Sequence, residues 1–285
     1  MCIDVLHPRE GSETEIWGGI ANAVAALGGL AGKSDTVIPV CSVSPDDREK
    51  FLKWLERFPA VDSGGVFSPV GPTNRIHIFE QENGVRTACA KDIAPPIPFD
   101  RIKRFLGVNG ILISMASGFD VTLETVDLLR MEIRQEAIPV HFDFHNLTMG
   151  VNPRGERFRR PLADWRRWAF MIDTVQLNEE EIAGLGVNRM SEQETAGHLL
   201  TLGGKGVIVT RGARGATLYT NERKKIMRQD IPVEAVSGEP DTTGLGDIFG
   251  AAFLYRCVAS ASLVDAVTFA GAAASAAAAR PRGER

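Results

Sequence analysis

The sequence predicts an α/β fold: a mostly parallel central sheet with helices on both faces. Three observations lead there. Apolar runs of strand length alternate with amphipathic helical stretches through most of the chain, as at Ile111 to Met115, Leu123 to Glu136, Pro139 to Phe144 and Thr174 to Leu177. That alternation is the pattern of parallel strands joined by helical crossovers. A polar, glycine-bearing stretch, Asp241-Thr242-Thr243-Gly244-Leu245-Gly246-Asp247, runs straight into the apolar Ile248 to Leu254, as a loop does on entering a buried helix. The 285 residues are 44% hydrophobic and 24% charged, which suits a globular chain with a real core. No repeat or low-complexity linker divides the chain, so residues 1–285 are read as one domain.

The same inventory excludes several classes. A net charge of −4 supplies no basic face for nucleic acid. Cys2, Cys41, Cys89 and Cys257 are scattered with no C-x-x-C pair, and read as buried small residues of a reducing compartment. No apolar run reaches membrane-spanning length, the alanine-rich Ala270 to Ala279 being too short and weakly hydrophobic. No signal peptide is read, and the expected location is the cytoplasm.

Taken in order, Met1 to Leu6 reads as the tail of a strand, so that a first central strand is either shortened or encoded further upstream. Glu13 to Trp17 suits a short strand, and Gly18 to Gly28 enters a helix whose small residues permit close packing on a sheet. Thr36 to Val43 is β-rich. Ser44-Pro45-Asp46-Asp47 starts a helix, with serine as cap, proline at the first helical position and acids following. Phe51, Leu55 and Phe58 give that helix an apolar stripe.

The rhythm then breaks. Arg75 to Phe79 and Val85 to Ala90 flank Glu82-Asn83-Gly84, a hairpin signal. Pro95, Pro96 and Pro98 mark a stiff connector. Beyond Phe144, Arg154 to Arg167, with Trp165 and Trp168, reads as a solvated helix with apolar anchors rather than an anion site. His141 and His145 have a spacing that joins metal ligands on a helix, but they lie on a strand. Ser191-Glu192-Gln193-Glu194 is a capping box. Val207 to Thr210 is a strand, followed by a glycine turn into Ala216 to Tyr219. Helices follow at about 247–260 and 263–279, and 280–285 is polar and frayed.

The chemistry centres on Asp247. Gly244 and Gly246 lack a Cβ, so backbone there can approach a ligand closely. Helix-starting amides from Gly244 to Asp247 have no intrahelical acceptors and suit a phosphate. A carboxylate beside that cradle makes sense as a base taking a proton from an attacking hydroxyl. The competing reading is an ordinary helix cap.

The run DTTGLGD resembles the DTTGAGD signature of ribokinase-like (PfkB) carbohydrate kinases, with Leu245 in place of alanine. Four further segments resemble family motifs in family order: the GG-x-x-N helix at Gly18, Gly19 and Asn22; the hairpin at 75–90; N-x-x-E at Asn178 and Glu181; and T-x-G-x-x-G at Thr210, Gly212 and Gly215. Asp143 and His145 stand in a segment similar to the family's D-x-N.

The resemblance implies a three-layer ribokinase-like sandwich with a small β lid from about residues 5–17 and 73–90. It implies ATP-dependent phosphorylation of a hydroxyl of a small sugar or sugar derivative. Asp247 would be the base, with Gly244, Leu245 and Gly246 forming an anion hole. Asp4, Gly18, Gly19 and Asn22 would hold the acceptor, and Asn178, Thr210, Gly212, Gly215 and Thr243 the nucleotide. Glu181 would order water on Mg2+. A monovalent cation (K+) near the anion hole and a homodimer through the lid belong to the same expectation. Ile20 stands where ribokinases carry lysine, so the substrate class stays open between sugars and nucleosides, and an inactive ligand-binding regulator is the reading from another class. Asn22 also reads as a polar first-turn residue, Asn178 as a helix cap, and the glycines at 212 and 215 as a tight turn.

Overall fold

The computed structural model describes every residue except 10, 81–85, 186–189, 235, 237–240, 261 and 281–285. The chain runs β1 (Cys2–His7), β2 (Thr14–Gly18), α1 (Ile20–Leu30), β3 (Cys41–Ser42), α2 (Pro45–Leu55), β4 (Val66–Phe67), β5 (Asn74–Glu80), β6 (Arg86–Asp92) and α3 (Phe99–Lys103). It continues through β7 (Ile111–Ile113), α4 (Leu123–Ile133), β8 (Val140–Asp143), β9 (Met149–Val151), β10 (Arg157–Arg159), α5 (Trp165–Ala169), β11 (Thr174–Asn178) and α6 (Glu179–Leu185). It ends with α7 (Glu192–Thr201), β12 (Gly206–Thr210), β13 (Ala216–Glu222), β14 (Lys225–Ile231), α8 (Leu245–Ala259) and α9 (Leu263–Ala278).

The central sheet has six strands in the order β14-β13-β12-β11-β8-β7. Strands β7, β8, β11 and β12 are parallel, whereas β13 and β14 return antiparallel. Alternation along a strand separates the two faces. On β12, Val207 and Val209 join a core with Val126, Leu129, Trp165 and Leu199. Ile208, between them, joins Phe249, Phe253, Val267 and Ala270 on the opposite face. Helices therefore cover both sides in three layers, as expected.

A second sheet, β2-β1-β5-β6, takes in the two segments expected to form a lid and also Cys2 to Asp4, expected as the tail of a central strand: β1 pairs with β2 and β5 instead of joining the central sheet. Here β1 pairs antiparallel with β2 and parallel with β5. The expected hairpin is present as β5 and β6; its turn at Glu82-Asn83-Gly84, and Val85, lie outside the described residues, as does most of the expected frayed end. The β-rich stretch at 36–43 contributes only β3, paired with β4, and an isolated bridge from Val37 to Val61.

Local signals account for most boundaries. Ser44 Oγ accepts from Asp47 N at 3.2 Å with Pro45 opening α2, and Ser191 and Glu194 form a reciprocal capping box. One expectation fails. Arg154 to Arg167 is not a solvated helix: β10 pairs with β9 as a hairpin, only the five-residue α5 is helical, and Trp165 and Trp168 are buried. Arg-Phe-Arg at 157–159 alternates with period two, and that pattern decided the local structure.

The stretch of α8 from Ile248 to Leu254 packs apolar side chains against the sheet, with Ala251, Ala252 and Phe253 fully buried. Replacing Phe253 by alanine removes a large buried ring from a site with no room to collapse. The expected loss is about 3–5 kcal/mol of unfolding free energy, measured by denaturant titration.

Candidate active site

The carboxyl ends of β7, β8 and β11 meet the amino end of α8, where an open parallel sheet receives its ligands. Asp247 lies in the first turn of α8 and is half-buried. Its Oδ2 accepts from Asn22 Nδ2 at 3.1 Å and its Oδ1 from Ser114 Oγ at 2.9 Å. Burial raises the Asp247 pKa, the two hydrogen bonds and His145 oppose that rise, and the charge of Asp4 adds to it. The result is a carboxylate more basic than in water, which suits proton abstraction.

The loop before it is shaped by glycine. Gly244 has φ +78°, and a Cβ there would fall 2.5 Å from Asn22 Nδ2. Only a residue without a side chain lets the loop close on Asn22. Thr243 N donates to Asp241 Oδ1 at 3.0 Å and Leu245 N to Thr242 O at 3.3 Å. Leu245 N is thus engaged in the turn, and the amides of Gly246 and Asp247 begin the helix, where anions are favoured. Gln176 Nε2 donates to Gly246 O at 3.0 Å and ties the loop to β11.

The four residues expected to hold an acceptor cluster at the edge of the second sheet. Asp4 is buried, with Cys2 Sγ 3.3 Å from its Oδ1. Gly18 packs against that carboxylate so closely that a Cβ would lie 2.1 Å from Oδ2. Gly19, at φ +57°, caps α1 and presses on Ala116 and Cys2. Asn22 N donates to Gly19 O at 2.9 Å, which turns the asparagine side chain toward Asp247.

On the other side, Asn178 and Glu181 bond each other. Glu181 N donates to Asn178 Oδ1 at 2.9 Å, and Asn178 N and Nδ2 donate to the two Glu181 oxygens at 2.7 Å each. This is a reciprocal helix cap, the competing reading of that motif. Glu181 is also 2.6 Å from His145 Nδ1 and 3.4 Å from Arg159 Nη1. Burial pushes its pKa up, but His145, the Asn178 amide and Arg159 outweigh burial and leave it lowered. Thr210 pairs with Asn178 across β11 and β12 and donates to Leu177 O at 3.3 Å. Gly212 and Gly215, at φ +57° and +88°, make the tight turn into β13, with Gly215 N donating to Gly212 O at 3.0 Å.

Motif reading did not place Ser114 or Gln176 in the site, and it left Asp143 and His145 without a role. Asp143, buried at the end of β8, is raised to about 7, mainly by burial and further by the charges of Glu181 and Asp247, with His145 opposing. Imidazole His145 is raised because its bond to Glu181 and three nearby carboxylates outweigh burial. His141 is different: buried, bonded to Thr174 and Gln176, and lowered to about 4, it is a neutral structural group beneath Gly250. Among the described residues no cluster of three or more His, Cys, Asp or Glu side chains is arranged to hold a metal.

This topology and its loops define an α/β protein of the ribokinase fold. A fructokinase from Vibrio cholerae O395, solved with fructose, ADP and calcium ion, superposes with a TM-score of 0.78 at 21% identity over 99% of this chain and 91% of that one. Residues 149–283 match the model of the pfkB family carbohydrate kinases. That match takes in somewhat less than half of the chain and makes its C-terminal part similar to those kinases. It is 36% identical over 93 residues to a fructokinase from Rhizobium leguminosarum bv. trifolii, covering 33% of this chain and 27% of that protein. It is 31% identical over 86 residues to a 5-dehydro-2-deoxygluconokinase from Clostridium botulinum (strain Eklund 17B / Type B), covering 30% and 24%. These matches thus span about a quarter of each curated relative.

The raised Asp143 has a consequence for stability. Its native pKa of about 7 exceeds the ordinary 3.8, so the folded state holds the proton more tightly. Its stabilising contribution is full below about pH 4 and is lost as pH rises toward 7. In metal-free buffer, Asp143→Asn should melt above the parent at pH 8, with the gap closing by pH 4. Parallel melting profiles across that range would contradict the assignment.

Proposed function

We propose that this protein transfers the γ-phosphoryl group of ATP to a hydroxyl of a small sugar or sugar derivative. The observation that carries this reading is the Asp247 carboxylate, kept basic by burial, aimed by Asn22 and Ser114, and set at the start of α8 beside amides suited to an anion. The match to a carbohydrate kinase family and the names of the relatives support it.

Asp247 takes the proton of the attacking hydroxyl as oxygen bonds to phosphorus. Amides at Gly244, Leu245 and Gly246 bear on the transferring group, those of Gly246 and the following helix turn being free of the turn bond that engages Leu245. Asp4, Gly18, Gly19 and Asn22 orient the acceptor, Asp4 by accepting from its hydroxyls. The four-stranded sheet closes over this site as a lid and keeps water from the phosphoryl group. Asn178, Thr210, Gly212, Gly215 and Thr243 line the nucleotide side.

The donor set fits Mg2+. Asp143 and Asp247 are carboxylates whose pKa values are raised mainly by burial and further by neighbouring carboxylates, and their oxygens are the hard ligands Mg2+ prefers. Asp143 would hold the ion directly and Glu181, already saturated by its own neighbours, through water; the ion would neutralise charge on the phosphates. A monovalent cation by the α8 loop, a second copy paired along the open β2 edge and a cytoplasmic location complete the reading.

Asp247→Asn keeps shape and hydrogen bonding but removes the base. Turnover should fall by about 10²–10⁴-fold while ATP affinity, measured by calorimetry, stays near the parent value. Near-parental phosphorylation by this variant would remove Asp247 from the chemistry. In the parent, kcat should fall on the acid side with an apparent pKa above the usual carboxylate value.

A further inference from the structure

Three buried polar side chains lie in a row that ends at the start of α8. Thr174 and Gln176 stand two residues apart on β11, and His141 of β8 pairs with Thr174 in the strand register. All three are almost fully buried. His141 Nδ1 lies 2.8 Å from Thr174 Oγ1, His141 Nε2 lies 3.2 Å from Gln176 Oε1, and Gln176 Nε2 lies 3.0 Å from Gly246 O. The Phe253 ring packs on the imidazole, with centroids 4.6 Å apart. Gly250 lets the helix lie down on the row: a Cβ there would come within 3.1 Å of Gln176 Oε1 and 3.4 Å of His141 Nε2.

The direction of each bond is fixed from the far end. A backbone carbonyl only accepts, so the Gln176 amide must turn its NH2 to Gly246 and its oxygen to His141. That oxygen only accepts as well, and burial keeps the ring neutral, so the imidazole proton sits on Nε2. Nδ1 is then an acceptor, and the Thr174 hydroxyl must donate to it. Three donors thus point one way, from Thr174 to Gly246 O. Hydrogen bonds aligned in a chain polarise and strengthen one another.

Gly246 O and Asp247 N belong to one planar peptide unit and lie on opposite sides of it. With the carbonyl drawn to Gln176, the Asp247 N–H is directed out of the amino end of α8. Gly244 is the N-cap, and Ile248 N, donating to Gly244 O at 3.1 Å, opens the helical ladder. Asp247 N precedes it and has no acceptor within the helix.

We infer that Gln176 is a positioning residue for phosphoryl transfer: held by His141 and Thr174, it fixes the Gly246–Asp247 peptide so that the Asp247 amide faces the transferring group as a strengthened donor. This rests on the anion-holding role proposed above for the start of α8. Asp247 then meets the reaction twice, its carboxylate at the hydroxyl and its amide at phosphorus, and a tilt of this one peptide misplaces both.

The test pairs kinetics with the state of the imidazole. Gln176→Met keeps the length of the side chain and removes both of its hydrogen bonds. With ATP and an accepted sugar, kcat should fall by about 10–100-fold while KM for either substrate stays within about threefold. ADP with aluminium fluoride, a mimic of the transferring group, should bind more weakly by a similar factor, whereas ATP affinity measured by calorimetry holds. Nitrogen-15 spectra of the histidine-labelled parent should show His141 protonated at Nε2. In Gln176→Met the proton should move to Nδ1, where Thr174 is the remaining partner.

A parent ring carrying its proton on Nδ1 overturns the inference, and that measurement needs no variant to fold. So does an unchanged kcat, or a loss shared equally by kcat and ATP affinity, which marks a merely structural role. These outcomes leave the kinase reading intact. A parent that phosphorylates no acceptor, with the fluoride mimic still bound more weakly by Gln176→Met, overturns the kinase reading and upholds the placement of this peptide.

Discussion

The site depends on one constraint: the Asp247 carboxylate must be kept partly out of water yet held ionised and aimed. Asn22 from α1 and Ser114 from the end of β7 do this from two directions. Burial alone would push its pKa up further, whereas full hydration would make it a weak base. Two neutral donors are a middle course, because they favour the anion, with help from the charge of His145, without a direct ion pair that would quench it. Gly244 is a direct consequence, since a Cβ there would collide with the asparagine that does the aiming.

That constraint propagates into the fold. Asn22 is placed by Gly19, whose positive φ starts α1 against Ala116 and Cys2. The start of α8 is tied to β11 through Gln176, and the glycine at 250 lets the helix sit close over Gln176 and His141. The neutral His141 matters here: a charged imidazole in that position would be buried under an apolar helix. The apolar half of α8, from Ile248 to Leu254, then anchors the polar turn that precedes it.

Around this centre, negative charge accumulates. Asp143, Glu181 and Asp247 gather there, and Glu181 is compensated by His145, Arg159 and Asn178. The divided compensation separates roles. Glu181 is locked as part of a cap and a charged network, whereas Asp143 and Asp247 retain the raised pKa values of groups awaiting a cation or a proton. Arg157 stands apart from this network, bonded to Asn146.

Much of this was legible in one dimension because it is local. A glycine-bearing loop before an apolar helix, a serine three residues before a glutamate, and alternating strands and helices are written over spans of a few residues, and short-range sterics and hydrogen bonding enforce them. Ser114 left no such trace: it follows an apolar strand and meets Asp247 133 residues away. Arg157 was hidden in a run of arginines whose composition suggested a solvated helix. Whether Asn178 and Glu181 cap a helix or face a ligand could not be read either, because both need the same spacing. By itself, then, the sequence determined the layers, the loop and the place of Asp247 in the first turn of its helix, since those rest on backbone preferences and local periodicity. Tertiary structure alone decided which side chains aim that base, which carboxylates are left uncompensated and which arginine turns inward, because burial and long-range contact set charge and orientation.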